Sequence, residues 1–333
     1  MAEKTCLGID IGNNRVKIAV KKGGVLQKVI VEQVPDGSVR DNHIVTFDAM
    51  GDFLRELLKN NRVTISNLNL SLPAHEVFTR HVTLPLMNVQ QLKINLPYEF
   101  HDFISDEMDN YIYDYAVTPQ AGKEDDGMLH LLACAVNRNL ILNYQSMAKR
   151  ARLRMRSITP GSAALNTILT AHFRSGDHNY AEHEYAILDL GDDSIKVHFF
   201  SKGTYQITRS MDINMNRLIQ AVMDETGKDM HIARMTFEQN VSNIQSASYL
   251  EPIYSSIASQ IMRVLNFYNF NNRNNTLEDL YYFGGGSLIP RLLDEIRETI
   301  PLELKSASCL VQNTDRIPEE DILLGLQAIG MTF

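Results

Sequence analysis

The chain has 333 residues, 44% hydrophobic and 22% charged, which excludes a disordered protein and leaves room for two domains of ordinary size. Its formal charge of −8 argues against nucleic acid as the main partner. No apolar run approaches a membrane span, and Met1-Ala2-Glu3-Lys4 leads straight into a strand without a signal-peptide core, so a cytoplasmic protein with no direct membrane insertion is expected.

Alternation of apolar residues predicts strands over Thr5–Ile11, Arg15–Lys21 and Val25–Val34, with Gly23-Gly24 as a hairpin turn. Pro35–Asn42 reads as a loop. Phe47–Asn60 has helical spacing, and Asn67–Leu72 is a strand that stops at Pro73. From Glu76 the register changes. Val77–Leu84 is a strand and Val89–Ile104 a helix that Pro97 kinks or begins. Tyr111–Val117 and Met128–Val136 are strands joined by a polar loop, Gln120–Gly127, and Leu140–Arg152 is an amphipathic helix. This block forms a compact α+β unit inserted into the first half. A strand, Arg156–Pro160, and a small-residue helix, Gly161–Phe173, follow; the polar stretch Arg174–Glu184 marks a boundary.

The second half opens with strands at Tyr185–Leu190, Ser194–Ser201 and Gly203–Ser210. Helices are expected at Leu218–Thr226, Phe237–Ile244 and Ile253–Phe270, then a polar loop Asn269–Asn275. A strand ending at Phe283 feeds Gly284-Gly285-Gly286-Ser287, which is expected to open a helix, Ile289–Thr299. A short strand near Glu303–Leu304 and a helix Glu319–Gly330 close the chain.

One phrase occurs twice. Leu7-Gly8-Ile9-Asp10-Ile11-Gly12-Asn13-Asn14-Arg15-Val16-Lys17 returns as Ala186-Ile187-Leu188-Asp189-Leu190-Gly191-Asp192-Asp193-Ser194-Ile195-Lys196. A strand that ends on a carboxylate, a turn with glycine and a second strand are thus repeated. Glycine lets backbone N–H groups approach a phosphate, and a strand-end Asp holds Mg²⁺ through water. A lone Ile-Asp-Ile-Gly is an ordinary strand and turn; two of them suggest paired domains gripping a nucleotide triphosphate from both sides. The glycine triplet adds close approach for a flat or anionic ligand, against the plainer reading of a tight strand-to-helix turn.

The remaining polar clusters carry less. Cys6, Cys134 and Cys309 lack metal-ligand spacing and read as small core residues of a reducing compartment. His75 and His81, and His178 and His183, read as surface residues. The basic run Lys149–Arg156 reads as a solvated helix end.

Two strand-Asp-x-Gly-turn-strand units and a late strand-Gly-Gly-Gly resemble the actin-like ATPase superfamily over essentially the whole chain. The early insert is similar to that of the FtsA and PilM families, and Ser71-Leu72-Pro73, Val77-Phe78-Thr79-Arg80 and Leu84-Pro85-x-Met87 resemble the type IV pilus assembly family PilM more than FtsA. The resemblance implies a two-domain actin-like α/β fold of duplicated ribonuclease H-like halves. Residues 1–75 and 156–180 would form the first domain, 76–155 the inserted α+β subdomain, and 181–333 the second domain with a helical subdomain about 214–278.

It further implies a cytoplasmic scaffold of pilus, or related competence or secretion, assembly. Such a scaffold binds ATP and Mg²⁺ between its domains. It also binds the N-terminal segment of a bitopic PilN-like membrane protein, which with other inner-membrane complex components would recruit it to the inner face of the membrane. Asp10, Gly12, Asn13, Asn14 and Lys17 would form the first phosphate loop, and Asp189, Gly191, Asp192, Asp193 and Ser194 the second. Gly284, Gly285, Gly286 and Ser287 would form the adenosine site, with Asp10 and Asp189 on the metal.

Several positions depart from the family pattern. Asn13 and Asn14 stand where serines are usual, Asp192 and Asp193 bring like charge to a phosphate site, and Asn214-Met215 replaces Gly-Gly. Nucleoside-contacting Glu and Lys are replaced near Arg234 and Phe237. The helix Gly161–Phe173 has no Asp, Glu or Gln to orient a water, so hydrolysis is expected to be slow or absent. Two alternatives stand beside this reading. An FtsA-like division protein would carry a membrane-binding C-terminal helix, whereas this chain stops at Phe333. A small-molecule kinase would need a general base in the cleft, for which no candidate stands out.

Overall fold

Apolar residues on both faces mark the opening strand β1 (Cys6–Ile11) as a central one; only Asp10 is not fully buried. The computed structural model describes residues 5–40, 43–118, 127–174, 182–273, 275–312, 314 and 316–333. The expected loops at 120–127 and 174–184 lie largely outside the described residues. After β1 come β2 (Arg15–Lys22), β3 (Val25–Gln33), the short pair β4 (Val39–Arg40) and β5 (His43–Ile44), α1 (Phe47–Asn60) and β6 (Asn67–Leu72). The inserted unit supplies β7 (Phe78–Pro85), α2 (Val89–Asn95), β8 (Tyr111–Val117), β9 (Met128–Asn137) and α3 (Arg138–Arg150). β10 (Arg154–Pro160) and α4 (Gly161–Arg174) return to the first sheet.

The second half runs β11 (Tyr185–Leu190), β12 (Ile195–Ser201), β13 (Thr204–Ser210), α5 (Asn216–Thr226), α6 (Met230–Glu238), α7 (Glu251–Asn271), β14 (Asp279–Phe283), α8 (Pro290–Thr299), β15 (Glu303–Ser306), α9 (Glu319–Leu324) and α10 (Leu326–Gly330).

The two large sheets have the same topology. Their strand orders are β3-β2-β1-β6-β10 and β13-β12-β11-β14-β15. In each, the first strand pairs antiparallel with the second and parallel with a later one. Even the register repeats: Asp10 lies opposite Lys17, and Asp189 opposite Lys196. The inserted unit is a separate three-stranded sheet, β7-β9-β8, whose core includes Leu92, Leu96, Phe100 and Leu131.

A core shared by both large sheets gathers Ala19 and Val29 from the first, Ile187, Phe200 and Tyr281 from the second, and Leu165, Leu326 and Ile329 from α4 and α10. The chain end thus returns to the first sheet. The Asn69 amide donates to the Met331 carbonyl at 2.9 Å, and a side chain at Gly8 would strike the Ala328 carbonyl.

Most expected elements form, with identifiable exceptions. The helix expected to reach Ile104 ends at Asn95, because Pro97 withholds a donor and a tight turn, Leu96–Phe100, replaces it. The helix expected at Phe237–Ile244 lies earlier, over α6, where the Asp229 side chain caps its start by accepting from the Ile232 amide. Left-handed Asn240, Ser242 and Asn243 then break the path. The final helix splits at Gly325. The basic run straddles the end of α3, a turn and β10 rather than one helix end. Cys309 is exposed, not a core residue, because it falls in a short turn after β15.

Candidate nucleotide cleft

Each Asp-x-Gly turn sits where the first strand of a sheet hands over to the second, so both turns emerge at equivalent strand ends. The Gly12 amide donates to the Arg15 carbonyl at 3.0 Å, closing the first turn. Gly191 does the same steric work in the second: a Cβ there would stand 2.8 Å from the Ser194 carbonyl oxygen. The turns face each other. Asn14 donates across the gap to Asp192 at 2.7 Å, and Arg15 meets Glu238 of α6 at 2.6 Å.

Between them lies a cavity of about 380 Å³. It is walled by Asp10, Gly12, Asn13, Asn14 and Lys17, by Asp189, Gly191, Asp192, Asp193 and Ser194, and by Gly284 and Gly285. An adjoining cavity of about 420 Å³ is lined by Arg15, Asp192, Met215, Ile219, Arg234, Phe237, Gln245, Gly286 and Ile289. Of the glycine-rich group, only Ser287 reaches neither; its buried hydroxyl donates to the Gly284 carbonyl at 2.6 Å. Gly284 takes φ +94°, and a Cβ there would meet the Leu190 carbonyl oxygen at 2.9 Å, so the strand can pass the second turn only without a side chain. The glycines form a tight turn, Gly285–Leu288, ahead of α8, and do not themselves open that helix.

Electrostatics distinguish the carboxylates. Lys17 Nζ lies 3.1 Å from Asp10. Burial works against the Lys17 ammonium, but Asp10, with Asp189 and Asp192 behind it, holds its pKa above the ordinary value. Burial pushes Asp189 up to about 6; Lys196 and Lys17 pull the other way, and Asp10 and Asp192 add to the rise. The like charges of Asp192 and Asp193 are already engaged. Asp192 accepts from Asn14 and lies 3.7 Å from Arg234, while Asp193 accepts from Asn216 at 3.1 Å. Asn216 in turn accepts from Arg234 at 2.7 Å, so Arg234 organises the second turn from α6. These carboxylates offer hard oxygen donors, and a bound Mg²⁺ would offset both the burial that chiefly raises Asp189 and the smaller push from Asp10 and Asp192.

Three cleft features escaped the sequence reading. His198 is buried on β12 beside Lys196; its Nδ1 lies 2.7 Å from Thr208 Oγ1, and burial lowers its pKa to about 3, so it is neutral. The inserted unit touches the second sheet, with His81 Nε2 at 2.9 Å from the Tyr205 carbonyl. Gln327, on α10, lies against Gly161 at the start of α4: a Cβ at Gly161 would be 3.0 Å from its Oε1. Both residues line the cleft cavity, so the glutamine that α4 itself lacks is supplied from α10.

Two matching sheets, each with an Asp-x-Gly turn on a common cleft, define a two-domain actin-like α/β fold. The family model for the type IV pilus assembly protein PilM matches residues 8–316, and the chain belongs to that family. Among solved structures, the PilM-PilN type IV pilus biogenesis complex is similar at TM-score 0.82 and 16% identity, covering 99% of this chain and 98% of that one. The ethanolamine utilization protein EutJ from Carboxydothermus hydrogenoformans is similar at 0.58 and 12%, covering 98% and 89%. The archaeal actin homologue Ta0583 is similar at 0.50 and 13%, covering 98% of each chain. At these identities the likeness to each structure is one of fold. No curated protein matches the chain by sequence.

Proposed function

We propose that this protein is a nucleotide-gated scaffold of type IV pilus assembly, binding MgATP in the cleft and the cytoplasmic N-terminal segment of a PilN-like membrane protein on its surface. The observation that carries the nucleotide reading is the convergence of both Asp-x-Gly turns and Gly284–Gly285 on one cavity. Family membership carries the partner reading, supported by likeness to the PilM-PilN complex. The family match favours neither an FtsA-like division protein nor a small-molecule kinase.

In this reading the first and second turns cradle the phosphates through their backbone amides, Lys17 faces them, and the adjoining cavity takes the nucleoside. Asp10 and Asp189 would hold Mg²⁺, which neutralises phosphate charge when bound. Gln327 stands where an amide can orient water, so turnover is slow rather than impossible. Nucleotide held between the turns would bear on the Asn14–Asp192 hydrogen bond that joins them, and so favour one arrangement of the two halves by differential affinity. In this reading the domains are 1–75 with 156–180, 76–155, and 181–333 with a helical subdomain about 214–278. No helix among the described residues is long and apolar enough to cross a membrane. The family match supports a cytoplasmic protein held at the membrane by its partner.

The test is calorimetric titration with MgATP, with phosphate release followed in the same sample. Saturable binding that Asp10→Ala abolishes, with release that Gln327→Ala slows further, is expected. Absence of binding at millimolar MgATP overturns the nucleotide reading. A labelled PilN-type N-terminal peptide should bind by fluorescence anisotropy, and more tightly with nucleotide; no binding in either state overturns the partner reading.

A further inference from the structure

The link from the first sheet into the inserted unit holds a donor cluster unrelated to the phosphate turns. β6 ends at Leu72, and one tight turn, Ala74–Glu76, leads into β7. His75 and Glu76 lie on that turn. The β4–β5 pair brings His43 to the same place from a distant part of the sequence. One ligand atom from each of His43, His75 and Glu76 lies within 4.8 Å of the others. His43 Nδ1 is 3.5 Å from Glu76 Oε1, and the two imidazole rings stand edge to face with centroids 4.6 Å apart.

We propose that His43, His75 and Glu76 form a binding site for one divalent transition-metal ion of zinc type. Two imidazoles and a carboxylate match the donors of Zn²⁺ sites, whereas Mg²⁺ and Ca²⁺ prefer oxygen alone. The carboxylate is held as a ligating one is. The Tyr144 hydroxyl donates to Glu76 Oε2 at 2.7 Å, which fixes the group and leaves Oε1 toward the histidines. Tyr144 is itself fully buried on α3, with Phe47 packed edge-on against its ring. Glu76 is thus a built anchor, its side chain only 3% exposed, while His43, 62% exposed, approaches it from the solvent side. The His43–Glu76 separation already suits two ligands of one tetrahedral ion at about 2.0–2.2 Å from each. Solvent on the histidine side supplies the remaining position.

The site would tie the β4–β5 pair to the hinge of the inserted unit. The hinge also borders the cleft, because Leu72, Pro73, Ala74 and Val77 line its cavity on either side of the two ligands. Metal occupancy would therefore stiffen one wall of the cleft without using any phosphate-turn residue.

Metal-stripped protein should be titrated with ZnCl₂ against a chromophoric chelator, and separately with Co²⁺ to read the visible bands of a tetrahedral site. One equivalent is expected to bind, with a rise in melting temperature. His43→Ala, His75→Ala and Glu76→Gln should each weaken binding roughly tenfold or more, and Tyr144→Phe several-fold. His43 and His75 are exposed, so their variants are expected to keep the fold, which far-UV circular dichroism checks. Zinc that binds equally well to both histidine variants, or no binding at micromolar zinc, overturns the site and leaves His43–Glu76 as an ion pair alone.

Discussion

In the first Asp-x-Gly turn, Lys17 reaches its register partner Asp10 at 3.1 Å. In the second, Lys196 lies opposite Asp189 in the same register but forms no ion pair with it among the described residues, and burial carries Asp189 up to about 6. The strands are buried alike in both copies. The duplicated backbone therefore does not duplicate the ion pairing. The lysine of the first copy has turned to its own carboxylate, and the second carboxylate is left buried near two others.

The sharpest test of this difference is one substitution at each position. Asp10→Asn removes the partner of a largely buried Lys17 and should lower apo stability by about 3 kcal/mol. Asp189→Asn should raise it at pH 8 by on the order of 2 kcal/mol, since the buried ion no longer has to form. The sign follows from the raised folded pKa. The stabilising contribution of protonated Asp189 is complete below the unfolded value and is lost as pH rises through about 6, so the advantage of Asp189→Asn should shrink to nothing by pH 4. Urea unfolding at both pH values measures it, and effects of the same sign for the two variants at pH 8 would break the comparison.

A second test concerns sterics. Gly191→Ala meets the backbone carbonyl of Ser194 at 2.8 Å, whereas Gly12→Ala meets the movable end of Lys17 at 3.0 Å. The former should cost about 2 kcal/mol and the latter under about 1 kcal/mol. The smallest effect is expected for an ion pair that joins the two halves. A double-mutant cycle on Arg15 and Glu238 should give roughly 0.5–1 kcal/mol in the free protein, falling when MgATP is bound.

The repeated phrase was legible because everything that defines it is local. Apolar residues on both faces make central strands, an Asp one residue before the strand end marks the handover, and Gly12 and Gly191 permit the turn. The same locality made α1, β6, β8 and β11 readable to the residue. It failed where capping outweighs periodicity, at Asp229 before α6, and where an exposed turn sets burial, at Cys309.

What the chain order could not reveal is every bond closed at long range. Asn14 and Asp192 are 178 residues apart, and Arg15 and Glu238 are 223 apart, so only the facing of the two sheets shows that Asp192 already has partners. Gln327 reaches Gly161 because α10 folds back onto β1 and α4. His43 joins His75 and Glu76 because a two-strand pair lies over a hinge. Local propensity chooses strands, turns and caps from a few neighbouring residues. Which side chains meet in the cleft depends on how apolar faces from distant segments bury one another, and that was decided by packing in three dimensions.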